Sequence, residues 1–309
     1  MTPAPRTDIA DERTPAAYAG FAVMSLIWGS TFLAIRIGNE AVAPVWSAVI
    51  RLAIAMPLYL AIAATTRAEW PRGAELRATL GYGVLNYGVN FVLLYWGELQ
   101  VASGTASVLY ATIPLMTSLT AALLGVQPLR AGDVTGAVVG LLGVALVFSG
   151  ELSQGGPLFA LGIVFVGSIA AALSGVVLKT APPRSTWVVN GLGAAAGLAV
   201  CLPASFALGE ARVLPRGLEG WGPILYLVVA GNLGAYALYG WLITKWKVTS
   251  VSAISLVIPV IAVLLGALVR SEALTAGTFA GTALVLAGVA ITLFTGRRRV
   301  APSPSREVS

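Results

Sequence analysis

Apolar residues run along this chain in blocks of about 20, the length at which an α-helix crosses the hydrocarbon of a bilayer. The blocks fall at about 16–37, 44–65, 77–97, 104–126, 133–150, 157–179, 186–208, 221–244, 249–269 and 275–295. Short polar or Gly/Pro-containing turns separate them, so the pattern predicts ten transmembrane helices. Residues 1–15 are polar, with Pro3, Pro5, Pro15 and mixed charges, and read as a disordered tail. Residues 297–309 form a basic tail. The first block is too long for a signal-peptide core and lacks a small-residue cleavage pattern after it, so no cleaved leader is expected.

The stretch from Pro114 to Gly150 is written twice. A shift of 145 positions lays Pro114 on Pro259, Leu129 on Leu274, Gly132 on Gly277, Gly136 on Gly281, Gly143 on Gly288 and Val144 on Val289. One register holds through two apolar blocks and the turn between them, which is the mark of an internal duplication. Each copy then carries five helices, 16–150 and 157–296. An odd number of crossings returns the second copy to the membrane upside down. The expected fold is an all-α polytopic membrane protein of ten transmembrane helices in two inverted five-helix repeats, an arrangement that places a solute site at the midplane.

Composition agrees. The chain is 57% hydrophobic and 10% charged, with a mean hydropathy of +0.86, where soluble domains carry about 25% charged residues. It has no histidine and one cysteine, Cys201. Disulfides within the chain and histidine-based metal sites or triads are therefore excluded, and no cofactor is expected. The net charge of +6 follows membrane topology rather than nucleic acid. With the N-terminus in the cytoplasm, the inner segments hold Arg6, Arg13, Arg67, Arg72, Arg77, Arg130, Lys179, Arg184, Lys245, Lys247, Arg297, Arg298, Arg299 and Arg306. The outer segments hold only Arg36, Arg212, Arg216 and Arg270, so both termini are expected inside. The Arg297–Arg299 cluster then meets anionic lipid headgroups, as a topology signal.

No Asp or Glu lies inside a block; Glu98, Asp133, Glu151 and Glu272 fall at ends or in loops. A carboxylate- or histidine-based proton relay is accordingly not expected. Arg51 lies seven residues into the second block. It either snorkels to the interface or serves as a gate or anion contact, meeting an anionic group or Glu98. In the third block Tyr82, Asn86 and Asn90 recur at every fourth position, and Asn232 and Tyr236 repeat that spacing in the eighth. Such amides must face the bundle interior or a wet cavity. There they knit helices together or bind a polar solute. Trp28, Ser30 and Thr31 lie near the middle of the first block, where a tryptophan is either packing or a cavity wall with one N–H to offer. Ser168 and Ser174 are expected to bond back to their own helix.

Pro114 and Pro259 each remove a helical hydrogen bond to the residue four earlier, Tyr110 and Ser255. Each site is a harmless kink or a hinge bordering a cavity. The glycine pairs Gly132/Gly136 and Gly277/Gly281 suit close helix packing, within a subunit or between two, so monomer and homodimer both stay open.

These residues resemble a known family. Leu26-Ile27-Trp28-Gly29-Ser30, Arg51, the proline-bearing fourth and ninth helices, and the Glu272, Leu274, Gly281 connection are similar to the EamA family of the drug/metabolite transporter superfamily. The resemblance spans about 16–296, with Gln127 standing where the first copy is expected to carry a counterpart of Glu272. It implies a bacterial inner-membrane carrier of small metabolites, often amino acids. It also implies a central cavity lined by helices one, three, four, six, eight and nine. The expected substrate contacts are Trp28, Asn86, Asn90, Tyr110, Asn232, Tyr236 and Ser255, with export by alternating access of the two halves and lipids as the surroundings. An uncharged pocket with Trp and Tyr suits a zwitterionic or aromatic solute better than a phosphorylated one. An enzyme is disfavoured because Ser174 and Lys179 do not share a helix face. A lipophilic-cation exporter is disfavoured because it needs a membrane carboxylate. A lipid-handling or sensory membrane protein without transport is the alternative.

Overall fold

A computed structural model describes residues 14–153, 157–181, 185–246, 251, 253–272 and 275–295. The tails expected at 1–15 and 297–309, with the Arg297–Arg299 cluster, lie outside the described residues apart from Thr14 and Pro15.

The first helix, α1 (Pro15–Ala41), starts where local chemistry says it should. Thr14 Oγ1 accepts from the Ala17 amide at 3.3 Å, and proline occupies the first position, where its missing N–H costs nothing. The second, α2 (Pro44–Thr65), has no capping side chain of its own. The Glu210 carboxylate, distant in sequence, accepts from Val45 N at 2.9 Å and Trp46 N at 2.8 Å and stabilises the positive end of that helix. The third block forms α3 (Ala74–Gly83), a π-helical turn (Val84–Val89) and α4 (Asn90–Gly97). The fourth is broken into α5 (Ser103–Tyr110) and α6 (Ile113–Leu123).

Three unbroken helices come next: α7 (Ala131–Ser153), α8 (Leu158–Thr180) and α9 (Thr186–Ala207). The eighth block repeats the pattern of the third, as α10 (Gly217–Tyr226), a π-helical turn (Leu227–Gly234) and α11 (Ala235–Lys245). Helices α12 (Ile254–Arg270) and α13 (Ala276–Thr295) complete the chain. Among the described residues there is no strand. Eight helical stretches among the described residues are long and apolar enough to cross a membrane, and Ile254–Arg270 is a shorter apolar helix. The third block of the sequence is the π-interrupted stretch 74–97. The molecule is a multi-pass, all-helical membrane protein, with Leu123, Phe159, Leu218 and Leu268 exposed around the bundle as lipid-facing side chains are.

Helices distant in sequence pair closely: α7 with α13, α2 with α9, α1 with α12, and α6 with α8. The α7–α13 seam is built on glycine. Backbone meets backbone where Gly136 faces Gly288, Gly143 faces Gly281 and Gly150 faces Gly277. Of the small residues expected from sequence, Gly136, Gly277 and Gly281 are thus used inside the subunit. Van der Waals contact drives helix association in lipid, and missing side chains let the backbones approach.

A Cβ added at Gly143 would sit 2.6 Å from Val285 N and 2.7 Å from Gly281 O, backbone atoms that cannot turn aside. Overpacking of this kind costs about 1–3 kcal/mol. Gly143→Val is expected to lower the melting temperature of the purified protein clearly, whereas Gly162→Val, with no neighbour within 4 Å of its Cβ, changes it little. Equal melting of the two variants would mean that the seam is not under that constraint.

Candidate functional site: a central aromatic cavity with one arginine

The two π-helical turns set the site. A π turn accommodates one more residue than an α turn, so it rotates the helix beyond it and brings new side chains onto the inner face. From the third block Asn86, Tyr87, Asn90, Phe91 and Leu94 all reach a cavity at the centre of the bundle; from the eighth come Gly231, Asn232 and Tyr236. Helix α1 contributes Trp28, Thr31, Phe32 and Ile35, and the break between α5 and α6 contributes Tyr110, Ala111, Ile113 and Pro114. Arg51, Ala171, Ile254, Ser255 and Ile258 close the walls around about 310 Å³.

Of the residues singled out by sequence, Trp28, Arg51, Asn86, Asn90, Tyr110, Pro114, Asn232, Tyr236 and Ser255 border this one space. Pro259 is not among the lining residues, although its neighbour Ile258 is. The two prolines also differ in backbone. Pro114 follows an interruption at Ala111 and Thr112, both of which keep right-handed helical backbone, so the run is interrupted where its missing N–H leaves the Tyr110 carbonyl without a helical donor. Pro259 lies inside the continuous α12, so the equivalence seen in sequence is not an equivalence of breaks. Gly29 belongs to the site indirectly: a Cβ there would meet Ile261 Cγ2 at 2.6 Å, so glycine is what lets α1 approach α12 beside the cavity. Ser30 Oγ bonds to Leu26 O at 2.7 Å and pairs with Tyr226 Oη at 2.5 Å, away from the lining. Ser168 and Ser174 bond back to Phe165 O and Ala171 O.

A hydrogen-bond chain occupies much of the polar lining. Tyr110 Oη donates to Asn90 Oδ1, Asn90 Nδ2 donates to Asn86 O at 3.0 Å, and Asn86 Nδ2 donates to Tyr82 Oη at 3.1 Å. The chain ends at Asn190 Oδ1, which accepts from Tyr87 Oη at 2.7 Å and Tyr82 Oη at 3.4 Å. Asn90 thus ties Tyr110 to the third block while bordering the cavity. Tyr87, Phe91 and Asn190 escape an α-helical reading. Tyr87 and Phe91 each stand one position after a polar cavity residue, about 100° round an ideal helix, and Asn190 is a lone amide in an apolar block.

Arg51 does not snorkel. It is only 6% exposed. Nη1 donates to Tyr95 Oη at 3.0 Å, Nη2 to Asn232 Oδ1 at 2.5 Å, and the guanidinium carbon lies 4.8 Å from the Phe91 ring centroid. No carboxylate forms an ion pair with it among the described residues. Arg51 Nε and Asn232 Nδ2 are buried without a hydrogen-bond partner.

The end of the bundle where α1 stops and α5 starts is laced by charge. The Glu272 carboxylate accepts from Ser103 N at 3.0 Å, Ser103 Oγ at 2.8 Å and Gly104 N at 3.1 Å, capping α5 from across the bundle. Arg270 pairs with Glu40. Arg36 donates to the Glu98 carbonyl and Asn39 to the Tyr95 carbonyl, filling acceptors that the end of α4 leaves open. Glu98, the first residue beyond α4 and outside that membrane-spanning helix, is fully buried, and both its carboxylate oxygens lack a partner among the described residues.

An aromatic-walled cavity inside an all-helical membrane bundle is the architecture of a solute transporter. The profile of the EamA-like transporter family matches residues 16–149 and again 156–294, and the chain belongs to that family. It is 30% identical over 251 residues to the uncharacterized inner membrane transporter YedA of Escherichia coli strain K12, covering 81% of each chain. It is 27% identical to an uncharacterized transporter of Archaeoglobus fulgidus, covering 85% of this chain and 94% of that one. The identity is also 27% to a "probable terminal-alkyne amino-acid exporter" of Streptantibioticus cattleyicolor, over 90% of this chain and 94% of the relative. A solved crystal structure 21% identical in sequence superposes with a TM-score of 0.63, covering 93% of this chain and 99% of that one, and shares the fold.

Burial pushes the Glu98 carboxyl well above the ordinary carboxylate range; the Arg36 charge opposes this and Glu272 reinforces it. The folded protein therefore holds a proton that the unfolded chain releases, so this residue's contribution to stability declines as pH rises through the intervening window. Between about pH 5 and pH 8, the melting temperature of the wild type is expected to fall relative to that of Glu98→Gln. Parallel pH profiles for the two proteins would show that Glu98 is ionised in the fold.

Proposed function

We propose that this protein is an inner-membrane secondary transporter that exports small metabolites such as amino acids. It works by alternating access of two inverted five-helix halves, 16–150 and 157–296, around the midplane cavity. The carrying observation is that both halves supply this cavity at matching places. Tyr110 and Ser255, which are 145 positions apart, both border it, and each half carries a π-helical turn that delivers an asparagine to its wall. The helix pairings support the same reading: α1 on α12 has its counterpart in α6 on α8, while α7 on α13 and α2 on α9 each join equivalent helices of the two halves. The relative named as an amino-acid exporter supports the substrate class.

In this reading Trp28, Asn86, Tyr110, Asn232, Tyr236 and Ser255 contact the solute. Asn90 orients Tyr110 and Arg51 holds an anionic group. With both termini facing the cytoplasm, the end laced by Glu272, Arg270 and Arg36 is the outer seal. Pro114 is the flexible point of the first half, because the break at Ala111 and Thr112 already lacks helical continuity, and Pro259 is its counterpart in α12.

Counterflow in proteoliposomes tests this reading. Vesicles preloaded with an unlabelled amino acid or related metabolite are expected to accumulate the labelled form. Asn86→Ala and Asn232→Ala are expected to slow that exchange about tenfold, the effect of losing about 1.4 kcal/mol of binding, without loss of folded protein. Exchange untouched by both substitutions would move the site elsewhere. Pro114→Ala is expected to slow transport more than it lowers protein abundance; equal losses would make Pro114 a folding residue only.

A further inference from the structure

The charge of the cavity wall narrows the substrate class. Among the residues that border the cavity there is one cation, Arg51, and no Asp or Glu. The guanidinium is buried and has no ion-pair partner among the described residues. The Arg51 and Asn232 side chains touch through Nη2 and Oδ1, while Arg51 Nε and Asn232 Nδ2 are buried behind that contact without a partner among the described residues. A buried charge without a counter-charge is costly, and a buried donor without an acceptor adds to that cost. A ligand carboxylate in the cavity supplies the missing counter-charge and matches the flat face of a guanidinium.

The rest of the wall carries no second charge. Trp28, Phe32, Phe91 and Tyr236 present apolar faces, and Asn90 has both ends of its amide occupied within the protein. An ammonium group entering with the carboxylate finds no carboxylate of the protein to pair with. It also cancels part of the attraction to Arg51 within a space of about 310 Å³. Resting on the transport reading above, we propose that the preferred substrate is a small organic acid with a net charge of minus one. Its carboxylate is held by Arg51, which Asn232 orients, its apolar or aromatic body lies against Trp28 and Phe91, and its amine, where the parent is an amino acid, has been removed or acylated.

Phenylpropanoate, phenylalanine and phenylethylamine share one ring and differ in charge, so they separate the possibilities. Thermal stabilisation of the purified protein reads binding, and counterflow in proteoliposomes reads transport. The expected ranking is phenylpropanoate first, phenylalanine at least tenfold weaker, and phenylethylamine without effect. Arg51→Gln is expected to abolish stabilisation by the carboxylate. Asn232→Asp places a counter-charge beside Arg51, so it is expected to melt higher than wild type in the absence of ligand and to lose carboxylate binding. That second variant, with the wild-type ranking, decides the matter if Arg51→Gln does not fold.

A zwitterion or amine that binds as well as the acid, carboxylate binding retained in Asn232→Asp, or no stabilisation by the acid would each overturn the proposal. Carboxylate binding without counterflow would uphold the subsite and sink the transport reading. Counterflow of a cationic or uncharged solute, without carboxylate binding, would do the reverse.

Discussion

Inside a bilayer a polar group has no water to fall back on, so it must find its partner within the protein or line a wet cavity. The rest of this structure depends on that constraint. It explains why amides in the third and eighth segments meet at the centre rather than scatter over the lipid-facing surface. It also explains where the backbone is allowed to be irregular. The two π-helical turns and the break at Ala111 and Thr112 sit beside the cavity, where displaced carbonyls and amides have somewhere to turn. The long helices α7, α8 and α9 stay regular.

Two kinds of contact hold the bundle, and they divide the labour. The glycine seam between α7 and α13 brings backbones together over most of a membrane thickness, with no side chain able to rearrange. It is a fixed join away from the cavity. Around the cavity the contacts are aromatic edges and long polar side chains: Trp28 against Tyr236, Phe32 against Tyr110, Arg51 against Phe91. Such contacts can change partners by rotating a side chain, which a backbone-to-backbone seam cannot do.

Carboxylates act in this molecule mainly at helix ends. Glu210 caps α2 and Glu272 caps α5, each from a distant part of the chain. A carboxylate at a helix N-terminus meets unpaired amides and the positive end of the helix dipole, so it stabilises the junction while leaving the hydrocarbon core free of charge. Glu98 is the exception, buried beside Arg36 with its oxygens unpaired. Arg51 is its opposite in charge. The pairing of Arg51 with Glu98 that the sequence left open is not made; the arginine turns instead to Tyr95 and Asn232.

Sequence alone determined what depends on local composition and period. Block length marked the membrane-crossing helices, and the second block matched α2 at both ends, because a helix in lipid must be apolar along its length and must stop where that ends. The repeat located Tyr110, Ser255, Pro114 and Pro259, since duplication preserves position. Most of the polar residues around the cavity were legible because polar side chains at mid-membrane are too costly to be incidental. Tertiary structure alone decided the rest. The π turns that bring Tyr87 and Phe91 to the wall shift the helical register by one residue, which no fixed period reveals. Asn190, Glu98 and Glu272 draw their meaning from partners far away in the chain. The unpaired charge of Arg51 is a statement about what is missing nearby, and absence within a few ångströms is a property of packing rather than of order along the chain.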